Sequence, residues 1–384
     1  MHHLFALASV IPLALAAPLI QPMAGTAIPG SYIIKLKDGA SDSAVQDTIK
    51  GLKASPKHVY RSKKFKGFSA DLNSAGVKAV QALPEVEYIE QNAIFSINDV
   101  VTQTDVPWGL ARISSRTKDA TTYSYDSSAG AGTCSYVIDT GIYVQHTQFE
   151  GRATFLANFA GDNRLEDGNG HGTHVAGTIG GKDYGVAKKT QLFAVKVLNS
   201  GGSGTTAGVI AGIDFVTTDA PNRSCPNGTV ANMSLGGGKS ASINAAAAAL
   251  VKSGVFLAVA AGNSDDDSSF YSPASEATAC TVGATDVADA RAWFSNYGTL
   301  VDVFAPGVDV LSTWIGGVNE TNIISGTSMA APHIAGLGAY LLALGGPKSP
   351  TDLCDFIRTS GTQGVITDLP SGTVNSLAYN GASS

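Results

Sequence analysis

Val230-Ala231-Asn232-Met233-Ser234-Leu235, then an alanine-rich run over 242–252, then Val255-Phe256-Leu257-Ala258-Val259-Ala260: the stretch from 230 to 260 passes from an apolar run through a helical one to a second apolar run. The two apolar runs carry too few polar positions for a strand with one wet face, so they suit strands buried on both sides, joined by a crossover helix. Working outward, 134–138 and 192–198 have the same character, and 206–217 reads as another crossover helix. This alternation predicts an α/β fold on a doubly wound, mainly parallel sheet. In such sheets, functional groups gather beyond the carboxyl ends of the strands.

Upstream, 31–36 and 67–72 read as strands and 41–53 and 74–83 as helices, which predicts a small α+β module ahead of the main domain. The two parts differ in charge. Residues 29–97 hold ten basic and seven acidic residues (net +3), whereas 98–384 hold fifteen and twenty-four (net −9), so two units that attract each other are expected. At 44% hydrophobic and 15% charged, the 384-residue chain is too apolar to be a solvated tail. The run 4–16 is apolar, too short to cross a bilayer and followed by small residues, so 1–16 is read as a secretory signal, although His2 and His3 replace the usual basic residues. No later stretch reads as a membrane span. With a negative main domain, neither membrane nor nucleic acid is expected as a partner. The cysteines, Cys134, Cys225, Cys280 and Cys354, imply two disulfides in an exported chain, with three pairings open.

Four segments carry chemistry. In Val137-Ile138-Asp139-Thr140-Gly141, an acid ends an apolar strand; alone, it reads equally as a turn aspartate. In Asn169-Gly170-His171-Gly172-Thr173-His174, a histidine among glycines opens a helix, its small neighbours leaving the ring open to substrate. Gly172 stands where a zinc-protease helix needs glutamate, so His174 is read as a packing or hydrogen-bonded residue. In Gly326-Thr327-Ser328-Met329-Ala330-Ala331-Pro332, a serine sits at a helix N-terminus, with Pro332 expected in the first turn. Ala261-Gly262-Asn263 ends a strand in an ordinary-looking turn.

Jointly these segments, with Trp108-Gly109-Leu110-Ala111-Arg112-Ile113-Ser114, Ser234-Leu235-Gly236-Gly237-Gly238 and Phe294-Ser295-Asn296-Tyr297-Gly298, resemble the subtilases, and among them the proteinase K family. The resemblance implies a secreted serine endopeptidase. Ser328 would be the nucleophile of an acyl-enzyme route, His171 its base, Asp139 the group that orients the imidazole, and Asn263 with the Ser328 amide the oxyanion donors. Gly202, Ser203 and Gly204, with Ser234, Leu235, Gly236 and Gly237, would flank a bound peptide. Neither segment carries an acid, so broad cleavage after apolar or aromatic residues is expected.

The resemblance also divides the chain into a signal over 1–16, an inhibitory propeptide over 17–100 and a catalytic domain over 101–384, released by its own cut near Val101. It pairs Cys134 with Cys225 and Cys280 with Cys354. Val175 replaces the unpaired cysteine of the proteinase K family. No cofactor is expected for catalysis, but one structural calcium would be held by Asp302 and the carbonyls of Ala277 and Ala279; Arg116 and Val365 stand where a second site's ligands belong. Asn222, Asn227 and Asn319 begin glycosylation sequons, as does Asn232, whose predicted buried strand makes it least suited. Expected partners are protein and peptide substrates and the chain's own propeptide, with the enzyme itself a monomer. The rival readings are a dibasic processing convertase and a catalytically silent binding protein.

Overall fold

The structure, a computed structural model, describes residues 16–20, 26–52, 55–94, 100–345 and 349–382, so the signal read over 1–16 lies outside the described residues except for Ala16. The chain divides into two units, residues 1–96 and 97–384.

In the first unit both expected helices form, as Asp42–Gly51 and Ser74–Gln81. Each is capped from the preceding residue: the Ser41 hydroxyl accepts from the Ala44 amide, and the Asn73 side chain from the Gly76 amide. Val45, Ile49, Val77 and Val80 on these helices share one core with Ile34, Leu36, Phe68 and Ala70 on a five-stranded sheet. Its order is Leu19–Ile20, Val86–Ile94, Thr26–Leu36, Phe65–Asp71, Pro56–Ser62. Pro56–Ser62 escapes apolar patterning because it is an edge strand, largely exposed and carrying Lys57, His58 and Arg61.

The second unit is built on parallel strands β1 (Thr133–Asp139), β2 (Ala153–Asn158), β3 (Gln191–Lys196), β4 (Gly228–Met233), β5 (Phe256–Ala260), β6 (Cys280–Thr285) and β7 (Val303–Pro306). They lie in the order β7-β6-β5-β4-β1-β3-β2, and the short pair Thr362–Gln363 and Ser376–Leu377 extends the sheet beyond β7. From β1 the chain runs to one edge and returns, then crosses to β4 on the other side of β1. That reversal opens a crevice at the carboxyl ends of the central strands.

Helices α1 (His171–Gly180), α2 (Thr206–Asp219), α3 (Ala241–Lys252) and α4 (Thr327–Gly345) cover the sheet. Successive strand residues point to opposite faces, so the core has two halves. Val137 of β1 and Val230 of β4 pack with Ile179 of α1 and Ile334 and Leu337 of α4. Tyr136 and Ile138 of β1, with Ala231 and Met233 of β4, pack with Val209, Ile213 and Val216 of α2 and Leu250 of α3. By length and composition α4 could cross a membrane, but 78% of its most apolar window is buried in the protein, where it serves as the central core helix.

Two disulfides form, Cys134–Cys225 and Cys280–Cys354, each with a Cα–Cα distance of 5.6 Å. Of the three pairings that the sequence leaves open, this is the one implied by the subtilase resemblance. They span 91 and 74 residues and each contributes about 2–4 kcal/mol.

Candidate active site

Each candidate residue sits where an element of the sheet layer begins or ends. Asp139 is the last residue of β1, His171 the first of α1, and Ser328 the second of α4, while Asn263 lies just past β5. The His171 Nδ1 donates to Asp139 Oδ1 over 2.8 Å, and the Thr140 amide donates to the same oxygen over 2.7 Å. Asp139 is fully buried, and among the described residues its Oδ2 has no hydrogen-bond partner. Burial of the His171 ring disfavours its charged form, but the charge and hydrogen bond of Asp139, with the charge of Asp167, outweigh that and raise its pKa above the ordinary 6.5.

Sequence reading passed over Asp167, although it lies only four residues before His171. Its buried carboxylate accepts from the Thr140 hydroxyl, the Asn169, Gly170 and Thr173 amides and the Thr173 hydroxyl, all within 2.6–3.0 Å. Those bonds fasten the entry of α1 to the turn after β1. The glycines beside His171 permit this close approach, and the ring itself keeps about a quarter of its surface exposed. A Cβ at Gly172 would meet the Gly141 carbonyl at 2.1 Å, and one at Gly170, whose φ is +104°, would meet the Trp314 ring at 2.6 Å. His174 gives Nε2 to the Val310 carbonyl over 2.9 Å, and burial holds its pKa down to about 4.

Around Ser328, the Asn263 Oδ1 accepts from both the amide and the hydroxyl of Thr327, at 2.8 Å each. This fixes the side-chain amide so that its NH2 end is free to face the site. An atom placed where Gly326 would carry a Cβ lies 3.5 Å from the Ser328 amide nitrogen and 3.6 Å from Asn263 Nδ2, so the two donors converge on one small volume. The Ser328 hydroxyl donates to the Ser234 carbonyl over 3.1 Å, and among the described residues it makes no hydrogen bond to His171. The expected base–nucleophile contact is therefore not closed in this conformation.

Two hollows adjoin these groups. The larger, about 460 Å³, runs between exposed Gly202, Ser203 and Gly204 on one side and Ser234, Leu235, Gly236 and Gly237 on the other, with His171 on its wall. The smaller, about 190 Å³, is lined by Ala260, Ala261, Asn263, Tyr271, Ala274 and Ser328 among others, and no charged side chain enters either lining.

The Subtilase family profile matches residues 130–378, and the Peptidase inhibitor I9 profile matches residues 31–98. The chain belongs to the subtilase family. It is a serine endopeptidase with an I9-type propeptide domain. This subtilase is 54% identical over 392 residues to the "Cuticle-degrading protease" of Metarhizium anisopliae, covering 99% of this chain and 100% of the relative. It is likewise 54% identical over 364 residues to "Proteinase R" of Parengyodontium album, covering 95% and 92%. A solved cold-adapted subtilisin-like serine proteinase superposes with a TM-score of 0.68 at 42% identity, covering 73% of this chain and 100% of that one.

Elsewhere in this subtilase, Asp302 is held against the 277–281 segment by two bonds with Thr281, its Oδ2 accepting from the Thr281 amide over 2.8 Å and its amide donating to the Thr281 carbonyl. Burial pushes the Asp302 carboxyl up to about 6. One of its oxygens lies within 4.8 Å of the sulfurs of Cys280 and Cys354, which are spent on their disulfide. Where a second cation site was expected to be absent, the Arg116 guanidinium binds the Ser360 and Gly361 carbonyls over 3.1 Å and stacks on Tyr379. Asn222 and Asn319 are exposed, Asn227 is half-buried and Asn232 is fully buried; the amide nitrogens of Asn222 and Asn227 donate to the Thr218 and Ala131 carbonyls.

Proposed function

We propose that this subtilase is a secreted endopeptidase of broad specificity that prefers apolar or aromatic residues before the cleaved bond. The uncharged 190 Å³ hollow beside Ser328 carries this reading, because it accepts such a side chain and offers no counter-ion to Lys or Arg. Asp139, held on His171 Nδ1, keeps the imidazole in the tautomer whose Nε2 is basic. A peptide strand along 234–237 would claim the Ser234 carbonyl with its own N–H, releasing the Ser328 hydroxyl to His171. Catalytic contacts of this kind commonly tighten only when substrate is bound. Ser328 then attacks the carbonyl, its proton passes to His171, and the oxyanion forms where the Ser328 amide and Asn263 converge. The imidazolium returns the proton to the leaving amine, and water deacylates the serine by the same steps in reverse order. The test is cleavage of a neutral apolar peptide against a dibasic one: preference for the dibasic peptide replaces this reading with a convertase, and inertness to both with a binding protein.

The division into signal 1–16, propeptide 17–100 and catalytic domain 101–384 belongs to the same proposal. The sequence charge contrast and the I9 match support a leader that blocks the enzyme until it is cut near Val101. Expressed whole, the Ser328→Ala chain should persist as uncut precursor; normal maturation of that variant would rule out self-processing. The enzyme is proposed to act as a monomer, glycosylated at Asn222 and Asn319. Asn227 is less suited, since it is only partly exposed.

No cofactor is needed for the chemistry. Asp302 with the Ala277 and Ala279 carbonyls would supply an all-oxygen donor set of the type calcium takes, and the partly desolvated carboxylate suits a cation. Calcium there would stabilise the fold, so a chelator is expected to lower the melting temperature of the mature enzyme but not of Asp302→Ala.

A further inference from the structure

Proline inside a helix removes one hydrogen bond, that from its own missing N–H to the carbonyl four residues earlier. Pro332 is not in the first turn, as its sequence position suggested, but is the sixth residue of α4, and the carbonyl it leaves open is that of Ser328. That carbonyl is not left to water. The Ser234 hydroxyl donates to it over 2.7 Å, and the Ser328 hydroxyl donates back to the Ser234 carbonyl over 3.1 Å. The Ser234 oxygen is itself held by the Asn232 Nδ2, which donates to it over 2.8 Å.

The parity of the strand aims this chain of bonds. Val230 packs with the core residues of α4, whereas Ala231 and Met233 face the opposite half of the core, so Asn232 and Ser234 fall on the α4 side. Asn232 has no exposed surface, and among the described residues its Oδ1 has no partner. A buried amide with one carbonyl oxygen unsatisfied is poor value for stability alone. Its one side-chain bond goes to the hydroxyl that holds Ser328.

We propose that Ser234 is a positioning residue for the nucleophile: steadied by Asn232, its hydroxyl anchors the Ser328 carbonyl that Pro332 leaves open, and so fixes the nucleophile against the substrate-flanking segment. The proposal rests on Ser328 being the nucleophile. When substrate takes the Ser234 carbonyl, the bond from the Ser328 hydroxyl is lost, but the bond from the Ser234 hydroxyl to the Ser328 carbonyl remains. It then keeps the Ser328 carbonyl, and with it the nucleophile, in register with the substrate-flanking segment.

The experiment is a double-mutant cycle on the mature enzyme, with active sites counted by a radiolabelled sulfonyl fluoride so that rates refer to folded enzyme. Losing one buried bond of this type, Ser234→Ala should lower kcat about tenfold with KM within about twofold, and Ser234→Thr should recover most of it. In a Pro332→Ala background, the restored N–H at position 332 supplies the Ser328 carbonyl, and the cost of Ser234→Ala should shrink to about twofold or less. Equal losses in both backgrounds, or an unchanged kcat in Ser234→Ala, would overturn the proposal. Should Ser234→Ala not accumulate, Asn232→Ala reads the same interaction by removing the upstream donor: a kcat loss that shrinks in the Pro332→Ala background supports the proposal, and one that does not refutes it. Failure of the label to attach to Ser328 in the unaltered enzyme would instead remove the nucleophile assignment on which the proposal stands.

Discussion

The His171 imidazole must be neutral to accept a proton, and its raised pKa sets the pH at which it becomes so. The acid limb of kcat/KM against pH should therefore inflect above 6.5, the value of an unperturbed histidine. Because the Asp167 charge contributes to that rise, Asp167→Asn should move the limb to lower pH and also lower kcat by loosening the entry of α1. A limb that stays in place would show that Asp167 acts through packing alone. At the oxyanion position, Asn263→Leu keeps the volume and removes the donor, so kcat should fall about 100–1000-fold with little change in KM. The sequence motifs identified Asn263, but not Thr327 as the residue that turns its amide. Thr327 looked like a neighbour of the nucleophile, and only the folded chain brings its two donors to the Asn263 oxygen.

Strands and helices present these groups with little freedom, because glycine allows their ends to touch. A Cβ at Gly172 would strike the backbone carbonyl of Gly141, which cannot swing aside as a side chain could. Gly172→Ala should thus destabilise the protein by about 1–3 kcal/mol and lower kcat by displacing His171 from Asp139, as read by thermal melting and steady-state kinetics. Helix positions were legible in the sequence: the runs 206–217 and 242–252 appear as Thr206–Asp219 and Ala241–Lys252. The place of Pro332 was not. Its turn number depends on where α4 begins, and the helix begins at Thr327, ahead of the apolar run 334–344 that marks it in the sequence.

Across the whole molecule, buried histidines couple stability to pH. His174 and His333 are almost wholly enclosed, and burial holds each near a pKa of about 4. Unfolding frees them to titrate near 6.5, so between pH 4 and 6.5 the unfolded chain binds more protons than the folded one. The stability these two histidines contribute is then fully present above pH 6.5 and falls as the pH drops toward 4, by about 3 kcal/mol for each, opposed in part by the raised Asp302 and His171, which bind protons more tightly in the folded state. Urea unfolding of mature enzyme inactivated with sulfonyl fluoride, at pH 7 and pH 4.5, should show the difference, and equal midpoints would contradict it. The sequence by itself determined the alternating α/β order, the strand and helix ends that bear Asp139, His171, Ser328 and Asn263, and the uncharged glycine-rich walls. Those features follow from local periodicity and from short motifs, both of which are written along the chain. Only tertiary structure decided that Asp167 fastens the histidine helix and that Ser234 meets the carbonyl left open by Pro332. These depend on β1, β4 and α4 coming side by side, and proximity between residues distant in sequence is set by packing, for which no local pattern is a substitute.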